Sequence, residues 1–211
     1  MKRSTLTLLT FAIAIAALSS SVTAKPAKTT LPIAEASFDF LYICLNLKSQ
    51  SSLAPAYVEL PEGYDVSDIN PSSILLNGSI PIHPSIYPTI GDYDNDTIPD
   101  LHVVFNRTEI VEYIQSEGIT HGTVNLRIQG SFARTPATFE GNDNLTVSSL
   151  VGDVNCDEIV NLLDIVIASD SFDTADGDEN WNHNANFAPH WNRNDIFDFV
   201  TLIAYYGETL A

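Results

Sequence analysis

Oxygen-bearing side chains recur at fixed intervals along one twelve-residue stretch near the end of the chain. With Asp153 as position 1, the others fall at positions 3, 5, 9 and 12, and they are Asn155, Asp157, Asn161 and Asp164. A hard cation such as Ca²⁺ takes about 6–8 oxygen ligands, and this spacing supplies them together with a backbone carbonyl at position 7, which is that of Ile159. An apolar, helix-like run follows directly. The stretch therefore predicts a calcium loop that leads into a helix.

One position of this loop departs from the usual pattern. Position 6, where a glycine normally makes the sharp turn, is Glu158. A residue other than glycine in the left-handed region costs about 1–2 kcal/mol. The alternative interpretation is an acidic turn before a helix, with Asp164 as the N-cap.

A second, degenerate copy follows in the same tail. Its candidate ligands are Asn186, Asp195 and Asp198, and thirteen residues run from the first of them to the last, so this loop holds one extra residue. Apolar residues stand where carboxylates would be expected, and fewer carboxylates mean weaker calcium affinity. The alternative is a packed turn held by Phe187 and Trp191.

A third candidate loop lies in the middle of the chain. Acidic residues fall at its positions 1, 3, 5 and 9, and they are Asp92, Asp94, Asp96 and Asp100. Thr97 replaces the usual glycine, and position 12 is Val103, so the closing carboxylate is missing. This spacing predicts a compact calcium loop between strands, and the alternative is an Asp-rich hairpin turn.

The balance of charge narrows the classes of partner. The chain carries 27 acidic and 9 basic residues, and residues 151–211 hold twelve acidic side chains against the single cation of Arg193. Such a surface repels nucleic-acid phosphates and anionic lipid, and it suits divalent cations. The five histidines show no zinc spacing, and the sequence carries no nucleophile or metal-hydrolase motif. These observations predict a non-catalytic protein that binds neither nucleic acid nor membrane.

The chain divides into four segments by composition and periodicity. Residues 1–24 have two basic residues, a short apolar run and a small-residue cut site, which is the layout of a secretory signal peptide. Residues 25–36 are rich in Lys, Ala, Pro and Thr and are predicted as a linker. Residues 37–150 alternate in short runs between turn residues, which favours an all-β immunoglobulin-like sandwich with one helix near residues 109–116. Residues 151–211 change to helical periodicity, with two short helices. The expected fold is therefore multidomain, and the protein is expected outside the cell or at its surface.

Cys44 and Cys156 are the only cysteines. They fall in different predicted domains, so separate thiols are favoured over a disulfide, although an exported chain permits both. Four Asn-x-Ser/Thr acceptors, at Asn77, Asn95, Asn106 and Asn144, permit glycosylation but do not establish it.

The tail resembles a dockerin, a duplicated unit of calcium loop and helix that binds cohesin domains. The likeness rests on residues 152–166 in the first repeat, and on residues 184–186 and 195–207 in the second. It implies calcium-dependent folding and attachment to a cohesin-bearing partner, which in cellulolytic systems tethers polysaccharide-degrading machinery. It carries calcium ligation over to the two tail loops described above.

The chain departs from cellulosomal dockerins just before each closing aspartate. Small hydroxyl residues are usual there, whereas this chain has the pairs Leu162-Leu163 and Ile196-Phe197. The two apolar pairs are the candidate partner-binding residues. They fit a hydrophobic partner surface, or they pack on the protein's own β domain. Exposure separates these two interpretations, because a docking tail leaves an apolar patch on solvent.

Residues 58–78, 91–96 and 103–107 are similar to a β-sandwich module of exported, often archaeal, surface proteins. That module implies a spacer or adhesion role. The principal prediction is an exported calcium-binding protein whose tail docks onto a cohesin-like partner, in a polysaccharide-degrading or cell-surface assembly. The alternatives are a structural or adhesion protein with a self-packed tail, and a carbohydrate-binding module, which would need Trp181 or Trp191 on an exposed face.

Overall fold

The computed structural model describes residues 31–42, 44–175, 177–178, 180–189 and 193–210. The predicted signal peptide and residues 25–30 of the predicted linker lie outside these ranges. The described part of the chain is β-rich, with two sheets and few helices. Within it, no helix is long and apolar enough to cross a membrane.

The strands and helices are short and closely spaced. The strands are β1 (Ile33–Glu35), β2 (Ser37–Phe40), β3 (Cys44–Asn46), β4 (Leu53–Glu59), β5 (Leu75–Leu76), β6 (Ile80–Pro81), β7 (Thr89–Gly91), β8 (Asp100–Asn106), β9 (Gly122–Ser131) and β10 (Thr138–Ser148). The α-helices are α1 (Arg107–Ser116), α2 (Leu162–Asp170) and α3 (Ile196–Ala204). Two short 3-10 helices cover Val66–Asp68 and Pro71–Ser73.

The two sheets enclose one apolar core. The larger sheet has the order β1-β10-β9-β5-β6, with β3 also paired to β10, and the smaller has the order β2-β4-β8-β7. In β9 the residues Val124, Leu126 and Ile128 alternate with exposed neighbours, as expected for a strand with one buried face. The same core includes Val58 of β4 and Val103 of β8 from the smaller sheet. The prediction of a β-rich fold is therefore confirmed, and the immunoglobulin-like sandwich stays a prediction.

Helix α1 follows directly from β8 and closes part of this core. Asn106 caps it, since its side-chain oxygen accepts the backbone N–H of Thr108 at 3.0 Å. Ile110 and Ile114 are fully buried on its inner face. The helix predicted for residues 109–116 is thus confirmed, and it begins two residues earlier, at Arg107.

The predicted linker over residues 25–36 is wrong at its end. Ile33–Glu35 forms β1, which pairs in parallel with β10 in the register Ile33↔Thr138. Ala34 is its one buried side chain. A three-residue strand with a single small buried residue is too short to show an alternating pattern. The Pro- and Thr-rich composition therefore predicted a linker instead.

The chain changes sheets between residues 37 and 46. It forms β2 in the smaller sheet and then β3, which pairs with β10 of the larger sheet. The switch places Cys44 at the start of β3, beside β10 in the register Thr146↔Cys44. Strand β10 leads directly into the tail, so β3 lies next to the first tail loop.

Cys44 and Cys156 form a disulfide, with 6.0 Å between their Cα atoms. The favoured interpretation as separate thiols is therefore wrong. The pairing of β3 with β10 brings the two residues to a distance that a disulfide can span. A bridge across a sequence separation of 112 residues stabilises a fold by about 2–4 kcal/mol, chiefly through the unfolded chain.

The tail has only a small core of its own. It is formed by Val154, Val160, Ala168, Ala185, Phe187 and Leu202. Residues Leu31–Ala211 make one compact unit. The predicted boundary after residue 150 coincides with a change in secondary structure inside that unit, and its role as a domain boundary stays a prediction.

Candidate metal centres and exposed helix faces

The first tail loop folds around the side chain of Asp153. Its Oδ1 accepts the backbone N–H of Asp157 at 3.1 Å, and its Oδ2 accepts that of Glu158 at 3.0 Å. Asn155 Oδ1 also accepts the Asp157 N–H, and Asp157 Oδ1 accepts the N–H of Ile159, both at 3.1 Å. The candidate ligands at positions 1, 3 and 5 are therefore held over one short turn of backbone.

Two residues of this turn adopt the left-handed region. Cys156 has φ 56° and Glu158 has φ 69°. The strain expected at Glu158 is present, and the disulfide-bonded Cys156 shares it. Each residue in this conformation costs about 1–2 kcal/mol, which the hydrogen bonds to Asp153 and the disulfide help to offset.

The closing residues of the loop also begin α2. Asn161 is the N-cap and its Oδ1 accepts the Leu163 N–H at 2.7 Å, while Asp164 Oδ2 accepts the Asn161 N–H at 2.8 Å. Asp164 Oδ1 accepts the Val154 N–H at 2.7 Å. The expected alternative role of Asp164 as N-cap is therefore wrong, because Asn161 holds that position. Asp164 Oδ1 also accepts the Asn155 N–H at 3.3 Å. A carboxylate oxygen has two acceptor sites, so Oδ2 is the Asp164 oxygen that keeps a site for a cation.

Burial raises the pKa of Asp153 above its usual range, although its hydrogen bonds from Ser148 and the loop backbone act in the opposite direction and the charge of Asp164 adds to the rise. Ser148 Oγ donates to Asp153 Oδ2 at 2.6 Å. The hydrogen bonds therefore offset only part of the cost of burying an ionised carboxylate here, and a cation would supply the missing positive charge. Carboxylate, amide and carbonyl oxygens are the donor set that suits Ca²⁺.

The second tail loop repeats the closing half of the first. Asp195 is the N-cap of α3 and Asp198 Oδ2 accepts its N–H at 2.8 Å, as in the capping box of α2. Asp198 Oδ1 accepts the N–H groups of Phe187 and Ala188 at 2.7 and 2.8 Å. The neighbouring Asn186 therefore occupies the place that Asp153 has in the first loop.

Asn186 is 1% exposed, and among the described residues neither its Oδ1 nor its Nδ2 has a hydrogen-bond partner. A buried amide without partners costs about 1–3 kcal/mol. Position 3 of this loop is Ala188, which has no side-chain oxygen, and residues 190–192 lie outside the described ranges. The described part of the loop thus offers fewer oxygen ligands than the first loop does.

The two halves of the tail are related by a constant offset. Helix α3 begins at Ile196, thirty-four residues after α2 begins at Leu162 (196 − 162), and it ends thirty-four residues after the end of α2 (204 − 170). Each loop forms one antiparallel bridge with the segment that follows the other helix. The two bridges, Ile159↔Thr209 and Arg193↔Ala175, obey the same offset. The tail is therefore an internal duplication with approximate two-fold symmetry.

The middle loop has the same local geometry as the first tail loop. Asp92 Oδ2 accepts the Thr97 N–H at 3.2 Å, five residues on, just as Asp153 accepts that of Glu158. Asn95 (φ 65°) and Thr97 (φ 80°) are left-handed at positions 4 and 6. Two unrelated segments thus close the same type of turn around acidic side chains.

The predicted ligands of the middle loop lie close together, and they are joined by a residue that the sequence pattern missed. One oxygen each of Asp92, Asp94 and Asp100 lie within 4.8 Å of one another, and so do those of Glu59, Asp94 and Asp96. Glu59 ends β4 and lies opposite Asp100 in the β4–β8 register. It supplies a carboxylate where Val103 at position 12 could not. Within the described residues, the tail loops hold no such trio of charged ligands.

Mutual repulsion and burial raise the pKa of two of these groups. Burial raises the pKa of Asp100 above its usual range, and the charges of Asp94, Asp96 and Asp92 add to the rise, while its hydrogen bond from the Tyr93 N–H opposes it. The pKa of Glu59 is raised by its partial burial and then by the neighbouring aspartates. Like charges at this spacing favour a bound cation.

The four candidate partner-binding residues lie on solvent. The exposed fractions are 63% for Leu162, 50% for Leu163, 58% for Ile196 and 53% for Phe197. Each of the four side chains is at least half exposed, so none of them is buried against the β-rich part. Further large apolar residues are exposed on the same helices, and they are Val166, Val200 and Ile203.

A polar junction, together with the disulfide, joins the tail to the β-rich part. Asn184 Nδ2 donates to the Cys44 carbonyl at 3.0 Å, and its Oδ1 accepts the Asn46 N–H at 2.9 Å. Arg107, 1% exposed, donates to the Asn46 carbonyl at 2.6 Å and to Asn184 Oδ1 of the tail at 3.4 Å. Burial lowers the pKa of Arg107 to about 10. Sequence patterns gave no signal for this junction, because its partners are distant in sequence and mostly backbone atoms.

Trp181 is 9% exposed and packs edge-on against His183. It therefore does not form the exposed sugar-stacking face that a carbohydrate-binding module would need. Trp191 lies outside the described residues. Comparison of the chain with protein-family models, curated proteins and solved structures found no significant match.

Proposed function

We propose that this chain is an exported, non-catalytic calcium-binding protein whose dockerin-like tail docks onto a cohesin-like partner outside the cell. The observation that carries the proposal is the exposure of Leu162, Leu163, Ile196 and Phe197 at the starts of the two tail helices. Large apolar side chains in pairs on solvent are typical of a surface that a partner covers.

The position of these pairs links docking to calcium. Each pair lies between the N-cap and the closing aspartate of its loop, so Leu162 and Leu163 lie between Asn161 and Asp164. A cation that fixes the loop also fixes the first turn of the helix and hence the direction of the apolar side chains. Calcium would therefore organise the docking surface without touching the partner.

The duplicated architecture of the tail supports the dockerin-like assignment. Both helices begin with a capping box at equivalent places, and each loop bridges to the segment after the other helix. The β-rich part, which we propose to be an immunoglobulin-like sandwich, acts as a spacer that carries the tail. Polysaccharide would be reached through the assembly that the partner belongs to, rather than by this chain directly.

The experiment is capture of partners on the immobilised exported chain, from envelope and culture fluid, in millimolar calcium and in chelator. We expect a protein with a cohesin-like domain to be held in calcium and released by chelator. Leu163→Asp and Phe197→Asp should each abolish capture while leaving calcium binding unchanged. Tyr87→Asp, at an 87% exposed residue of the β-rich part, is the matched control and should not affect capture.

Three outcomes would count against the proposal. The first is capture that persists in chelator, and the second is capture that Leu163→Asp and Phe197→Asp leave intact. The third is recovery of no cohesin-like protein in either buffer, which would favour a structural protein whose tail is fixed by its disulfide and polar junction.

A further inference from the structure

The disulfide of this protein is built into its first candidate calcium loop. Cys156 is position 4 of the loop, between the candidate ligands Asn155 and Asp157. Its partner Cys44 opens β3 in the β-rich part. The bridge therefore connects the calcium loop to a strand of the larger sheet rather than to another part of the tail.

Further contacts from the β-rich part converge on the same loop. Asn46 Nδ2 donates to the Asp153 carbonyl at 2.7 Å, and Ser148 Oγ donates to Asp153 Oδ2 at 2.6 Å. Cys44 Sγ lies 3.5 Å from the Val154 carbonyl. All of these residues are buried. The start of the loop is thus held from outside the tail, by the paired strands β3 and β10.

The disulfide is attached at a residue of the loop whose backbone lies in the left-handed region. Cys156 has φ 56° between two ligands, and an unconstrained cysteine disfavours this region. The middle loop has Asn95 at the equivalent position with φ 65°, and asparagine tolerates the left-handed region. The middle loop therefore needs no bridge, whereas the tail loop relies on one.

We propose that the Cys44–Cys156 disulfide positions the first tail loop for calcium, so that cysteine oxidation and calcium binding strengthen each other. This inference rests on the proposed calcium function of the loop. When the bridge is reduced, Cys156 returns to the extended or right-handed region and Asn155 and Asp157 no longer face one ion. Conversely, an ion that holds the loop closed keeps the two sulfur atoms together.

The chemical step is thiol–disulfide exchange with a dithiol reductant. One thiolate of the reductant attacks a sulfur atom of the bridge and forms a mixed disulfide. Its second thiolate then releases the other thiol, which leaves two cysteine thiols in the protein and one disulfide in the reductant. Two electrons and two protons pass to the protein. Because both cysteines are at least nine-tenths buried, attack requires the loop to open.

The test is calcium titration of the oxidised and dithiol-reduced protein by calorimetry, in an Asp94→Asn background that weakens the middle loop. We expect roughly tenfold weaker calcium binding in the reduced form, from the factor of about ten that a left-handed non-glycine residue costs. A Cys44→Ser/Cys156→Ser double variant should match the reduced protein. In an Asp153→Asn background, the remaining affinity of the middle loop should not change on reduction.

A second readout is independent of the titration. Coupling is reciprocal, so tenfold tighter calcium binding by the oxidised form lowers the reduction potential of the bridge by about 30 mV in saturating calcium. A disulfide that only stabilised the whole fold would leave the affinity of the folded protein unchanged. Ile128→Val, a core change far from the loop, is the control for a general loss of stability and should not alter calcium affinity.

The outcomes separate the inference from the function on which it rests. Equal calcium affinity of the tail in the oxidised and reduced forms, with binding by the tail lost in Asp153→Asn, would overturn the coupling and leave the calcium loop in place. Absence of calcium binding to the tail in both forms would overturn the coupling and the proposed function together.

Discussion

Asp153 and Asn186 show how a single residue separates two loops with the same framework. Both are buried at the first position of their loops, and both lie beside a backbone segment that donates to the closing aspartate. Asp153 brings a charge that its surroundings only partly compensate, whereas Asn186 brings a neutral amide. The first loop should therefore bind calcium more tightly than the second.

This difference predicts unequal effects of two alanine substitutions. Asp153→Ala should remove the share of the first tail loop in the rise in melting temperature that calcium produces, since ligand binding adds about 2.7 kcal/mol at a hundredfold excess over Kd. Asp195→Ala removes the N-cap of α3 and should cost about 1 kcal/mol in calcium and in chelator alike. Thermal unfolding in both buffers distinguishes them. Equal loss of the calcium-dependent rise would show that our ranking of the loops is wrong.

The raised pKa of Asp153 predicts a pH dependence whose sign calcium reverses. A carboxyl group whose pKa is higher in the folded than in the unfolded state stabilises the fold while protonated. Without calcium, stability should therefore fall as the pH rises from about 4 towards the folded pKa. With calcium, the ion binds only the ionised form, so the same rise in pH should increase stability.

Urea unfolding between about pH 4 and 7 in chelator and in calcium measures this dependence. Asp153→Asn, which cannot titrate, is the matched control. It should remove the contribution of Asp153 to the change of the unfolding free energy with pH in both buffers. The same slope in the wild type and in Asp153→Asn would contradict the assignment to Asp153.

At the scale of elements, α3 shows that helical periodicity locates a short helix without showing which of its residues are buried. Its apolar residues Ile196, Phe197, Val200 and Ile203 are all more than half exposed. In the structure the buried residues are Asp198 and Leu202. An apolar stripe indicates burial only when it lies against another element, and here part of it is left for solvent.

Leu202→Ala and Ile203→Ala test this assignment on adjacent residues. Leu202 is 1% exposed and Ile203 is 57% exposed. Leu202→Ala should destabilise the protein by about 2–5 kcal/mol through the cavity that it leaves. Ile203→Ala should change the free energy of unfolding by less than about 0.5 kcal/mol. Chemical denaturation measures both, and a larger cost at Ile203 would mean that this face packs internally.

The middle loop shows what a linear pattern can and cannot recover. The spacing of Asp92, Asp94, Asp96 and Asp100 identified four carboxylates that the structure gathers. Glu59 could not be found in this way, because only the pairing of β4 with β8 places it opposite Asp100. The spacing of ligands within one loop can be recognised from the sequence, whereas a ligand contributed by a neighbouring strand depends on the strand register.

At the scale of the whole molecule, the tail and the β-rich part are joined by polar contacts. The apolar pairs proposed for such an interface are on solvent instead. Asn184 lies in the tail, and its side chain bonds the backbone of Cys44 and Asn46 in the β-rich part. A buried amide that satisfies backbone groups from a distant strand leaves no pattern along the chain, so this junction was not predictable from spacing.

Asn184→Ala should therefore lower the free energy of unfolding of the whole molecule, because the Asn184 side chain bonds a strand outside the tail. It leaves the Asn46 N–H and the Cys44 carbonyl without this partner, at a cost of about 1–3 kcal/mol per buried group. Asn125→Ala, at an exposed residue of β9, is the control and should be close to neutral. Unfolding of the oxidised protein in urea measures both. Equal small effects would mean that the disulfide alone holds the tail in place.

The central claim is that calcium orders the tail and thereby its docking surface. Hydrogen exchange of the backbone amides in calcium and in chelator tests it most directly. We expect calcium to slow exchange at Asp157, Glu158 and Ile159, which donate to loop side chains, and along α2 with its exposed pair Leu162-Leu163. Magnesium at the same concentration should protect less. Equal exchange of these amides in calcium and in chelator would contradict the account.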